Sequence, residues 1–356
     1  MRLLFVSALH EFAGGALTIA SYVRHAKTLG HEIVVFGEPS EAFPEVSYAL
    51  DPEGFDFAVF VVNETTDFPD LPHLARLLDA IPRERRLVVD CAGRYNDTVR
   101  VDGDLNHLDQ LDGHPGHEWI ESLDAVGAAI LQPTLHPSKP EVRSFLFHGY
   151  EPEWERPLDL GTKAHGIVYV GDNWFRWHAL LQVLEAAEPV RGSARGWMVA
   201  GEGWNEMPAW LDEPLRSAAC FAEPERLHRL GVELRPAVGA GDVVATMSLG
   251  TVNPVLVRPT FGELQLVTPR FFETVAADTI PVFDLDSQFV AEIYGPEAVE
   301  LVLGEDRAER LADVFRRPSH YGEIVTEVRR HLRERHSFTV RLEELAGACE
   351  ELRVGR

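Results

Sequence analysis

The first thirty-six residues restrict the fold more tightly than any later stretch. Leu3 to Ala8 is an unbroken apolar run, His10 to Gly15 reads as a loop, and Ala16 to Leu29 has the spacing of an amphipathic helix. Gly30, a usual helix-stop residue, closes that helix, and a second apolar run follows from Glu32 to Phe36. A β-loop-α-β order of this kind needs a right-handed crossover and a parallel strand pair, the opening of a Rossmann-like sheet. Apolar runs at Phe57–Val62, Leu87–Val89 and Ser144–Phe147, with helical segments such as Leu71–Ala80 between them, extend the same sheet.

From Glu151 to Lys163 the chain turns polar, carries Pro152, Pro157 and Gly161, and loses apolar periodicity, which marks a domain boundary. The βα order then restarts. Gly166–Val170 reads as a strand, Asp172–Arg176 as a loop, Trp177–Ala187 as a helix, and Trp197–Ala200 as a strand ended by Gly201-Glu202-Gly203-Trp204. Ile280–Phe283 and Leu301–Leu303 read as further strands. Near the end, Ile324, Val328, Leu332, Leu342, Leu345 and Ala346 recur at helical spacing. A chain of 356 residues suits two α/β domains of ordinary size. The expected organisation is a Rossmann-like domain over 1–150, a linker over 151–163, a second Rossmann-like domain over 164–320, and closing helices over 321–356 that can cross back. Ligands of such sheets bind beyond the carboxyl ends of the strands, here in the cleft between the two domains.

Charge narrows the partners. With 33 basic and 57 acidic residues the formal charge is −24, which disfavours a nucleic acid or an anionic membrane and favours a small molecule or glycan. No run reaches the roughly 18 apolar residues of a spanning helix, and Met1–Val6 reads as a strand, not a leader. Cys91, Cys220 and Cys349 share no metal-like spacing, so a reducing cytoplasm is expected. No metal site is expected either: Asp102–His107 lacks the later ligands of a calcium loop, and Pro115 and Gly116 break the helix that His114, His117 and Glu118 would need.

The most informative segment for function is Thr268-Pro269-Arg270-Phe271-Phe272-Glu273-Thr274-Val275-Ala276-Ala277-Asp278-Thr279-Ile280-Pro281-Val282-Phe283. It reads as a helix start, a tight turn and a buried strand. Arg270 and Glu273 lie three residues apart, on one face near the positive helix end. There a cation can meet a diphosphate while the carboxylate accepts ribose hydroxyl protons, a seat suited to a sugar nucleotide.

This segment resembles the donor-binding signature of GT-B glycosyltransferases. It is most similar to the spore-maturation-type branch (group 1), in which an Arg, two apolar residues and a Glu precede a small-residue turn. The resemblance implies two doubly wound Rossmann-like domains facing across a cleft. It also gives other positions a role. Gly14 and Gly15, before a helix whose end carries Gly30-His31-Glu32-Ile33, match a Gly pair that faces donor phosphate or acceptor; a simple tight turn is the plain alternative. Gly171-Asp172-Asn173-Trp174-Phe175-Arg176 resembles the loop where Gly approaches the donor and Arg176 neutralises diphosphate. Gly203 and Trp204 match a turn near the nucleobase, with Trp204 either flanking the base or packing in the core. Asp90, at a strand's carboxyl end, is a base or acceptor anchor, or else a cap for the next turn. His148, just before the linker, is a cleft residue or a satisfied structural imidazole.

Two departures from the pattern stand out. Gln265 replaces the first of two acids found in related retaining enzymes, and Asp278 replaces a Gly after the helix. The resulting expectation is a metal-independent glycosyltransferase that needs no cofactor beyond a UDP, GDP or TDP sugar donor. A sugar-nucleotide epimerase or hydrolase, and a non-catalytic sugar-nucleotide-binding protein, are the alternatives.

Overall fold

The computed structural model describes residues 1–7, 14–37, 39, 41, 43–63, 73–107, 119–190, 196–208 and 219–355. Its first half is built on a seven-stranded sheet. The strands are β1 (Arg2–Val6), β2 (Glu32–Phe36), β3 (Tyr48–Ala49), β4 (Phe57–Val62) and β5 (Arg86–Asp90). After a small antiparallel hairpin, β6 (Arg100–Val101) and β7 (Asp104–Leu105), come β8 (Ala129–Gln132) and β9 (Val142–Ser144). All pairs in the large sheet are parallel, in the order β3-β2-β1-β4-β5-β8-β9.

The apolar runs are continuous because both faces of this sheet are covered. Alternate residues part company. Leu3, Phe5, Val59, Val61, Leu87 and Val89 pack on one face with Ile19, Tyr22 and Val23. Leu4, Val6, Ala58, Phe60, Val62 and Val88 pack on the other with Leu77, Trp119 and Leu123. Each Val, Leu, Ile or Phe among them contributes about 1.5–3 kcal/mol by leaving water.

The second half carries a five-stranded parallel sheet ordered β12-β11-β10-β13-β14. Its strands are β10 (His165–Val170), β11 (Trp197–Ala200), β12 (Val232–Arg235), β13 (Gly250–Val255) and β14 (Ile280–Phe283). Helix Pro318–Arg335 lends Tyr321, Ile324, Val328 and Leu332 to this half's core. The last helix, Phe338–Arg353, does cross back: Phe338, Leu342, Leu345 and Cys349 complete the core of the first sheet. The crossing is pinned where Tyr150 N donates to His336 O at 2.7 Å.

Some expected bounds shift. The first helix begins at Gly14 and ends at Thr28, so Gly14 and Gly15 open the helix instead of forming a loop before it; residues 8–13 lie outside the described residues. The strand expected at Ser144–Phe147 is Val142–Ser144. Phe145, Leu146 and Phe147 are buried in extended loop, an apolar run that burial without a ladder produces equally well. Leu301–Leu303 is not a strand but the end of a 3-10 helix, with Val302 in a single bridge to Phe283.

A buried polar latch also joins the halves. Asp104, on the hairpin of the first half, is fully buried against Arg258, which follows β13. Arg258 Nε donates to Oδ1 and Oδ2 of Asp104 at 3.1 and 3.0 Å, and Nη2 donates to Oδ1 at 2.5 Å. Thr260 adds its backbone N–H at 2.9 Å and its hydroxyl at 2.6 Å, both to Oδ2. Beside this latch, Gly93 (φ +73°) sits so close to the second half that a methyl there would lie 2.8 Å from Leu264 Cδ1. Val267 N donates to Pro133 O at 2.7 Å.

Replacing Asp104 with Asn strands a buried guanidinium without a counter-charge, so chemical denaturation should show a loss of about 3–5 kcal/mol. The latch has a pH signature. Burial works to raise the Asp104 pKa, but the hydrogen bonds and charge of Arg258 and the Thr260 donors outweigh it and hold the group below its ordinary value. Its contribution is therefore complete above the unfolded pKa of about 3.9 and is lost as pH falls through the lower folded value. A urea midpoint that drops on acidification in the parent but less so in Asp104→Asn is the expected result.

Candidate functional site

The site forms at the carboxyl end of β10, where the sheet's strand order turns from β11 on one side to β13 on the other. Val170 O, the last carbonyl of the strand, accepts from Arg270 Nε at 3.0 Å. Gly171 follows at φ +157°, where a methyl would lie 2.9 Å from Tyr169 Oη, and a methyl on Gly201 would lie 2.2 Å from Gly171 O. Bare backbone is thus obligatory at these two strand ends. Asp172 ties them together by accepting from Glu202 N at 2.8 Å.

Arg270 opens the seven-residue helix Arg270–Ala276, and one turn on lies Glu273, almost fully buried. Arg270 Nη1 donates to Glu273 Oε2. So the two expected donor ligands are brought together, but as partners of each other. About a third of the Arg270 side chain is exposed, at 32%, and Nη2 is not engaged by a described residue. Burial opposes its charge, yet the Glu273 carboxylate, with lesser help from Tyr169 and Asp172, raises the Arg270 pKa above its ordinary value. The helix is too short to carry a large dipole, so this guanidinium is the main positive charge at its mouth.

Arg176 closes the same cluster. It precedes helix Trp177–Ala187, and its Nη1 donates to Trp174 O at 3.2 Å, which folds the guanidinium back over the strand end. The buried Tyr169 phenol senses both cations: burial raises its pKa, Arg176 and Arg270 pull it down, and Asp172 pushes it up. Gly171, Arg176, Arg270 and Glu273 therefore lie together, with Tyr169 and Asp172 beside them.

The helix is anchored from behind by groups that the sequence reading missed. Arg329, buried in the helix Pro318–Arg335, donates from Nε to Val275 O at 2.8 Å, and from Nη2 to Ala276 O at 3.2 Å and Ala277 O at 2.8 Å. A cation on the last carbonyls of a helix is the favoured arrangement. Asp278, the departure from the family's Gly, also has a structural use: its Oδ1 accepts from Asp159 N at 2.7 Å and its Oδ2 meets Lys163 Nζ at 2.5 Å, fastening the linker.

Trp204 is turned into the core, and Gly203 packs beside Cys220 and Asn173. Trp204 is 1% exposed, packs against Tyr169 and Trp177, and donates from Nε1 to Gly171 O at 2.8 Å. Gly203 (φ +79°) leaves room for Cys220 and Asn173, and its carbonyl accepts from Asn173 Nδ2 at 3.0 Å. The packing alternative is the one realised: the indole supports the Gly171 loop from below.

On the facing half, Asp90 does stand at the end of β5, but it is fully buried. It accepts from Ala92 N at 3.2 Å, Tyr95 N at 2.7 Å and Gln132 Nε2 at 2.8 Å. A general base needs a reachable lone pair, and these donors occupy both oxygens, so Asp90 is a turn cap. His148 lies beside the helix that Gly14 and Gly15 open, with Nδ1 2.8 Å from Thr18 Oγ1. Burial lowers its pKa to about 3, so the imidazole is neutral at ordinary pH. His107 and Asn106 belong to the hairpin that carries the latch, not to a metal site, and His114, His117 and Glu118 lie outside the described residues. Among the described residues no cluster of three or more His, Cys, Asp or Glu could hold a metal ion.

No family model matches the chain, and no curated protein matches it either. Solved structures do. The T4 phage enzyme BGT in complex with UDP and Mn2+ is similar over 99% of this chain and 98% of its own, with TM-score 0.54 at 10% identity. An α-glucosyltransferase bound to UDP and a 13-mer DNA is similar over 98% and 99%, with TM-score 0.59 at 11% identity. A glycosyltransferase from Rickettsia africae is similar over 99% and 98%, with TM-score 0.57 at 10% identity. At such low identity the likeness speaks for architecture: the chain has the two-sheet GT-B fold of these glycosyltransferases over nearly its whole length.

Proposed function

We propose that the protein is a glycosyltransferase that moves a sugar from a nucleoside diphosphate to an acceptor held between its two halves. The observation that carries this reading is the joining of Arg176, Arg270 and Glu273 around the bare Gly171 backbone, in the crevice where a GT-B fold accepts its donor. Residues 164–320 form the donor lobe and residues 1–150 the acceptor lobe, joined by the linker 151–163. UDP is the preferred nucleotide, because the similar enzymes with named ligands are bound to it.

The mechanism follows from the charges. Diphosphate entering the crevice replaces Glu273 as the main partner of Arg270, and the released carboxylate is free to accept ribose hydroxyl protons. Arg176 and Arg270 then stabilise the negative charge that grows on the diphosphate as the glycosidic bond breaks, an effect that is largest where water is scarce. Of the two acceptor-side candidates, Asp90 and His148, only His148 is kept, as a neutral and nearly buried contact beside the first helix. Because the leaving group is met by guanidinia, no bound metal is needed for that step. The acceptor is a small molecule or glycan: a formal charge of −24 repels a DNA backbone like the one bound by the similar α-glucosyltransferase.

Titrating UDP against the protein should raise its melting temperature, by an amount equivalent to about 2.7 kcal/mol at a hundredfold excess over Kd. Arg270→Ala should weaken UDP at least about tenfold, or about 1.4 kcal/mol. Trp204→Phe makes the contrast: it loses the bond to Gly171 O and about 1 kcal/mol of stability, yet leaves UDP affinity in place. Equal UDP affinity in the parent and Arg270→Ala would overturn the assignment. Turnover of UDP-sugar should survive EDTA, and its loss, restored by a divalent cation, would contradict the metal-free mechanism.

A further inference from the structure

A cavity of about 420 Å3 lies between the halves, beside the Asp104–Arg258 latch. Its wall carries Phe175, Trp177, His178 and Phe221 from the second half and Asp102 from the tip of the hairpin, with Gln182 and Asp284 beside them. None of the donor cations lines it. The geometry points to a binding site for a neutral sugar ring, separate from the diphosphate seat.

Three features of the wall select that chemistry. The first is an exposed aromatic surface: Phe221 is 44% exposed, and its ring lies 6.1 Å from His178 at an interplanar angle of 16°, while Trp177 meets it edge-on. A flat apolar surface beside a cavity suits the C–H face of a pyranose, and leaving it in water is costly. The second is the set of acceptors. The carboxylates of Asp102 and Asp284 and the amide of Gln182 can receive hydroxyl protons around the rim of such a ring.

The third is the charge of the wall. Among the described residues no Lys or Arg lines the cavity, and the Arg307 guanidinium beside it is already paired with Asp284, so an anion meets little there that attracts it. A metal ion is not favoured either, since Asp284 is held by Arg307 at 2.7 Å and Asp286 caps a helix by accepting from Phe289 N at 3.0 Å. A neutral, hydroxyl-rich ligand with one apolar face satisfies all three features at once.

The backbone is committed to this surface. Phe175 has φ +56°, a left-handed conformation that is strained for a non-glycine residue. The surroundings hold it there: Phe175 N donates to Ala219 O at 2.6 Å, and the Arg258 guanidinium lies 5.4 Å from its ring centroid. Asp102 and Gly103 form a turn with φ +49° and +86°, the pattern of a tight hairpin. Asp104, two residues on, is locked to Arg258, so the latch that joins the halves also sets Asp102 at the cavity's edge.

This inference rests on the proposed transferase reading, because a sugar ring at this place belongs either to the acceptor or to the donor's own transferred sugar. The test uses the full chain, its Phe221→Ala and Asp102→Asn variants, and Arg270→Ala. Each is titrated with methyl glucoside, N-acetylglucosamine and maltose in the absence of nucleotide, followed by saturation-transfer NMR, and separately with UDP and UDP-glucose. Melting temperatures confirm that the variants are folded. At least one saccharide should bind the parent and Arg270→Ala alike and bind Phe221→Ala at least about tenfold more weakly.

Should Phe221→Ala narrow the gap between UDP-glucose and UDP affinity, the ring is the donor's. Should it spare that gap, the ring is the acceptor's. Saccharides that bind Phe221→Ala and Asp102→Asn as well as the parent, or that bind none of the proteins, would overturn the site. So would a quaternary amine binding in their place. Saccharide binding without UDP binding would keep the site and remove the transferase reading, so the two failures are distinguishable.

Discussion

A single buried ion pair, Asp104 with Arg258, sets how the two sheets of this protein face each other. Both groups are almost completely shielded from water, at 0% and 2% exposure, and each has its charge answered by the other and by the Thr260 and Leu105 backbone. Burying two charges costs several kcal/mol, which good geometry returns. The pair is better understood as a device of registration than as a source of net stability. It holds the hairpin of the first half on the segment after β13.

The cluster of Gly171, Arg176, Arg270 and Glu273 is preorganised by the second half together with the closing helix and the linker. Arg270 is held by Val170 O and Glu273, the helix it opens is capped by Arg329, and the linker is fastened to the same helix through Asp278. The Arg270–Glu273 pair keeps two charged groups compatible while the crevice is empty. In the proposed reading, a ligand carrying both phosphate and hydroxyl groups offers each partner a new contact, which offsets part of the cost of separating the pair.

Much of the fold was legible because parallel strands covered on both faces leave unbroken apolar runs. Phe57–Val62, Trp197–Ala200 and Ile280–Phe283 are strands with the bounds those runs imply. The same signal misled at Phe145-Leu146-Phe147, where burial occurs without a ladder. Arg270 with Glu273 was legible because three residues on a helix is a local relation. Asp104 with Arg258 was not, since 154 residues separate them and a buried polar pair has no period. For Trp204 and Asp90 the sequence showed the strand ends on which they stand but not their direction. That direction is decided by Trp177 below the indole and by the Tyr95 amide before the carboxylate, contacts that the fold alone creates. Arg329 carries no signal in the sequence, and only its burial against Val275 to Ala277 reveals it as a cap.

The central claim is that charges at the end of β10 seat an activated sugar, and a crystal structure of the protein with bound UDP tests it most directly. The account predicts diphosphate oxygens within hydrogen-bond distance of the Arg176 and Arg270 guanidinia, the Arg270–Glu273 pair opened, and a ribose hydroxyl on the Glu273 carboxylate. UDP found away from this crevice, with Arg270 and Glu273 still paired, would contradict it.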